Sequence, residues 1–123
     1  MKQIFLLILF STLSLAQHFT LNIDETGEST LFIFSNTITN LEIGDEIGLF
    51  DPNAIIDSQG NTGELLVGTS MWIGEQLEVV AVGAVDLSDF GGPVLPGYSN
   101  GTMLLKIWDS CNQMEYNATY TTT

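Results

Sequence analysis

Between Gln17 and Thr123 the apolar residues of this chain recur at every second position, with Gly, Asn and Asp separating the runs. Successive side chains of a strand point to opposite faces, so such alternation marks half-buried strands. A helix would need an i, i+3, i+4 stripe, and no convincing one is present. Phe19, Leu21 and Ile23 alternate with Thr20, Asn22 and Asp24 as a first strand, and Glu25-Thr26-Gly27-Glu28 has the composition of a hairpin turn. Thr30 to Ser35 is apolar on both faces, as a central strand covered on both sides would be, with Phe32 and Phe34 in the core. Glu46 to Phe50, Leu65 to Ser70, Gln76 to Val82, Met103 to Trp108 and Tyr116 to Thr121 complete the predicted strands. Asp51 to Gly63 reads as a polar surface crossing pinned only by Ala54, Ile55 and Ile56. Gly74-Glu75 reads as a tight turn beyond Trp72, and the Gly- and Pro-rich Asp86 to Gly101 as a long connection. The predicted fold class is therefore all-β: an antiparallel β-sandwich of about 7–8 short strands, Ig-like or jelly-roll-like, with a barrel as the alternative. The Thr-rich end, Thr119 to Thr123, stops in mid-strand without a capping turn, so a last strand is expected to be missing.

Residues 1–16 are built differently. Lys2 precedes an unbroken apolar run from Ile4 to Phe10, and small residues stand at Ser14 and Ala16. A short positive head, an apolar stretch and a small-residue site make a secretory signal peptide, with cleavage after Ala16. The run is too short to span a bilayer, and no cysteine follows the cleavage point to carry a lipid. The expected mature chain is one domain, 17–123, secreted or held at the cell surface, with no membrane insertion after cleavage.

That mature chain has Lys106 as its one basic side chain against fifteen carboxylates, a net charge of −14. Phosphate backbones bind through cations that displace counterions, so nucleic acid is excluded as a partner, and anionic membranes are poor ones. At 45% hydrophobic residues the chain can still bury enough apolar surface to order itself. Its single cysteine, Cys111, allows no internal disulfide and reads as a small apolar residue near a strand end.

Three stretches carry a family likeness: Gly44-Asp45-Glu46-Ile47-Gly48-Leu49-Phe50-Asp51, then Gly63-Glu64-Leu65-Leu66-Val67-Gly68, then Lys106-Ile107-Trp108-Asp109 with Met114-Glu115-Tyr116. In that order they resemble a β-sandwich module of large secreted and surface proteins of aquatic and other environmental bacteria. The resemblance implies an extracellular, non-catalytic module; the partners expected of a module in such a role are other modules of the same polypeptide or surface glycans. It supplies no functional residues to carry over.

Two candidate sites stand apart from that likeness. Asp51, Asp57, Asn61 and Glu64 flank a loop rich in oxygen ligands and glycine, the donor set that calcium takes, although no EF-hand pattern is present. The competing reading is that Asp and Asn cap turns through their own backbone and face water. Trp72, beside a turn, and Tyr98, in a glycine-rich loop, are the aromatic residues expected to be exposed for stacking on sugar rings. A carbohydrate-binding module, calcium-dependent or not and attached to a degradative enzyme, is thus the alternative function. Catalysis finds little footing: the only histidine, His18, lies two residues beyond the leader, where chain ends fray, and no nucleophile pairs with it. No cofactor is expected beyond that calcium.

Overall fold

The structure, a computed structural model, describes residues 17–121. Residues 1–16, where the sequence predicts a signal peptide, and the last two threonines lie outside the described residues.

Eight strands alternate with turns: β1 (Ser29–Phe34), β2 (Glu46–Ile55), β3 (Thr62–Met71), β4 (Leu77–Val82), β5 (Val85–Asp86), β6 (Val94–Leu95), β7 (Leu104–Asp109) and β8 (Met114–Ala118). All strand pairs are antiparallel. One sheet has the order β3-β2-β7-β8, a second consists of β1 and β4, and β5 and β6 form a small ribbon. The two larger sheets face each other as a β-sandwich, and no barrel closes.

Alternation decides which residues fill the space between the sheets. Leu105 and Ile107 of β7 are buried, while Lys106 and Trp108 between them lie on the outer face. Ile47 and Leu49 of β2 and Val67 of β3 join them from the same sheet. From the opposing sheet come Leu77, Val79 and Ala81 of β4, with Phe32 and Phe34 of β1 packed against the cluster. Fully burying one such aliphatic side chain is worth about 1.5–3 kcal/mol, so this interlayer core is the main term holding the sheets together. The sheets meet most closely where β3 passes β4: a Cβ on Gly68 would lie 2.6 Å from the carbonyl oxygen of Val80. Only glycine fits there.

Three local expectations change. Phe19 to Ile23 forms no strand, because the first backbone N–H groups are bound by a carboxylate instead of a neighbouring strand. Thr30 to Ser35 is not a central, doubly covered strand. It is the edge of a two-stranded sheet, with Leu31 and Ile33 more than half exposed at 52% and 57%. The polar stretch 51–63 is no loose crossing either, since β2 runs on to Ile55 and turns back into β3 as a hairpin. Its register shifts between Asp51 and Ala54, where Pro52 has no N–H to give the ladder.

Candidate functional site

The outer face of the four-stranded sheet gathers residues from all three stretches that carry the family likeness. Register places Glu46 of β2 opposite Trp108 of β7, and Trp108 opposite Glu115 of β8. Gly48 stands opposite Lys106 in the next row. Across these rows lie the first residues of the described chain. The backbone N–H groups of His18 and Phe19 donate to the two carboxylate oxygens of Glu46 at 2.9 and 2.8 Å. The His18 ring stacks on Trp108 with centroids 3.7 Å apart and planes within 6°, and its Nε2 meets Glu115 Oε1 at 2.8 Å. Phe19, 4% exposed, lies edge-on to Phe50. It fits because position 48 is glycine: a Cβ there would stand 3.1 Å from the Phe19 ring and 2.9 Å from that of Phe50. His18, expected to fray, is held by three kinds of contact at once.

Lys106 completes this face. Its ammonium lies 2.9 Å from Glu64 and 3.9 Å from Glu115, and 4.4 Å above the Phe50 ring. Lys106 is the sole lysine or arginine among the described residues, and two carboxylates already surround it. The face therefore offers no free positive charge to an anionic ligand. Its chemistry is that of a clamp, which fastens an extended N-terminal segment through backbone donors and two aromatic rings.

Three carboxylates are buried: Asp45, Glu46 and Asp51, at 3%, 4% and 1% exposure. All three lie within Gly44–Asp51, and among the described residues none is paired with a cation. Each instead accepts hydrogen bonds from backbone N–H donors, so its buried oxygens are not left without partners. Asp45 accepts from the N–H groups of Glu42 and Ser110, tying the entry of β2 to the turn after β7. Asp51 accepts from Asn53 N at 2.8 Å and Ser99 N at 2.7 Å. That bond fastens the 94–102 connection to β2, and Gly97 and Ile55 exchange two backbone hydrogen bonds beside it. The periodicity of this stretch hides these roles, because acidic residues in alternation read as solvated. The signal available was the density of acids within a stretch that is otherwise apolar.

The residues expected to bind calcium are occupied separately. Asp57 closes its own hairpin loop: it accepts from the N–H groups of Gln59 and Asn61 and from the Asn61 side-chain amide at 2.8 Å. That side-chain bond first, and the backbone donors after it, hold the Asp57 carboxyl below its ordinary value. Asp109 does the same in the β7–β8 turn with Asn112 and Cys111. Asp51 is buried against Ser99, and Glu64 faces Lys106 on the outer side. Among the described residues no group of three or more His, Cys, Asp or Glu side chains is placed to hold a metal ion. The turn-capping reading of Asp57 and Asn61 is the one the geometry follows.

The aromatic platform is likewise not assembled. Trp72 is 2% exposed and belongs to the interlayer core. Tyr98 is half-buried and packs against the same core, its hydroxyl 2.7 Å from Thr30 Oγ1. Among the described residues the most exposed aromatic ring is Phe90, at 86%, in the short 3₁₀ turn Ser88–Phe90. No family model, curated protein or solved structure matches the chain.

Proposed function

We propose that this chain is an exported, non-catalytic interaction or architectural module, acting outside the cell as part of a secreted or surface-held assembly. The observation that carries this reading is where the fold takes hold of the chain. His18 is bound by Glu46, Trp108 and Glu115 only two residues after Ala16, the small residue that ends the leader pattern. A leader with that boundary can be removed without disturbing any of these contacts, and Gln17 then becomes an exposed N-terminus. The −14 surface of the remaining chain favours solubility and suits a medium in which salt screens like charges. The family likeness points the same way. The test is expression with the leader intact, followed by mass spectrometry of the protein recovered from the medium. The expected species begins at Gln17, in part cyclised to pyroglutamate. Recovery of a chain that still begins at Met1 outside the cell, or retention of all the protein inside, overturns the reading.

A further inference from the structure

A cleft of about 1020 Å³ runs along one open side of the sandwich, between β1 and the β8 end of the four-stranded sheet. That is the upper end of the roughly 300–1,000 Å³ of ordinary small-molecule pockets. Its walls show what shape of ligand it takes. Leu31 through Phe34 of β1, with Ser35 just after it, line one side; Tyr116 and Ala118 of β8, with Thr119 to Thr121 beyond its end, line the other. Side chains of a strand alternate between faces, so a cleft that touches every residue from Leu31 to Phe34 runs along the edge of β1, while it meets β8 at the alternate residues Tyr116 and Ala118. Among the described residues both strands have an unpaired edge, since β1 pairs only with β4 and β8 only with β7. Unpaired edges present rows of N–H and C=O groups, which are templates for another strand.

The lining is also chemically distinct from the rest of the molecule. In a chain with fifteen carboxylates, none borders the cleft. Its floor is apolar, formed by core residues such as Leu49, Leu105 and Ile107, and its rim is hydroxyl and amide. A charged ligand would lose its hydration there without gaining a partner.

We propose that this cleft receives an added β-strand: an uncharged, extended segment of a partner polypeptide with apolar side chains at alternate positions. Main-chain hydrogen bonds to β1, β8 or both supply the pairing, and the alternate apolar side chains enter the floor between the sheets. A second copy of this chain is an outcome the test separates, since it would show as a dimer in light scattering. The inference rests on the reading of the chain as an interaction module, and it names the kind of partner.

The experiment uses the purified full chain and the acetylated, amidated peptide Ser-Thr-Val-Thr-Val-Thr-Val-Ser, followed by amide hydrogen exchange. The expected result is exchange slowed at least about tenfold in β1, in 114–121 or in both, and nowhere else. The same peptide with proline in place of its two central residues keeps its neutral charge but loses N–H donors, and is expected not to protect these amides. Thr119→Glu, an exposed substitution that puts a carboxylate on the cleft wall, is expected to weaken binding at least about tenfold while leaving Tm unchanged. No protection by the parent peptide, or equal protection by the proline peptide, overturns the proposal. So does a dimer in light scattering whose edges are already protected, or protection that disappears when residues 1–16 are cleaved off. The N-terminus of the secreted protein is measured separately, so failure of the export reading and failure of strand addition are distinguishable.

Discussion

At the scale of residues, the chain solves a problem of charge with almost no cations. Asp45, Glu46 and Asp51 are inside, and what faces them is backbone N–H. Glu46 is the most consequential, because it alone receives the N–H groups of both His18 and Phe19. Glu46→Ala should destabilise the protein by about 2–3 kcal/mol, since it removes two charge-assisted bonds and releases the Phe19 ring from its seat. Glu46→Gln keeps one acceptor oxygen and should lose about half as much. Urea titration of both variants checks this: no loss in either would show that the clamp does not depend on the carboxylate.

At the scale of elements, the edge strand β1 divides its residues by face. Phe32 and Phe34 pack on the interlayer core, whereas Leu31 and Ile33 point outward. Both Phe rings are only half-buried, because the cleft beside them is open. Phe32→Ala should therefore cost about 3 kcal/mol, the lower end for a buried aromatic. Leu31→Ser, two-residue alternation away from the core, should change stability by no more than about 0.5 kcal/mol. Thermal or urea unfolding of the pair measures the contrast, and comparable losses would mean that β1 is covered on both faces after all. Both large hydrophobics and β-branched residues were legible here as strand formers. What was not legible was that the strand sits at an edge, because an apolar outer face looks the same in sequence whether or not another layer covers it.

At the scale of the molecule, charge and layering act together. With Asp57 and Asn61 bonded to each other, Asp51 inside and Glu64 beside Lys106, calcium finds no assembled set of carboxylates. The melting temperature should rise with calcium chloride and with sodium chloride to the same extent at equal ionic strength, as screening of a −14 surface requires. A rise specific to calcium and abolished by Asp57→Asn would show that the loop rearranges to bind the ion. The amino-acid sequence by itself determined the all-β class, since period-two alternation cannot form helices, and it located most strands to within a few residues. It also determined the acidic balance and the single unpaired cysteine. Only the tertiary structure decided that Trp72 is core, that His18 and Phe19 are clamped, and that Asp51, Asp57 and Glu64 serve separate ties. The physical reason is range. Alternation is set by neighbours one and two positions away, whereas burial and hydrogen-bond partners are set by contacts between residues such as Phe19 and Glu46, 27 positions apart, or Asp51 and Ser99, 48 apart.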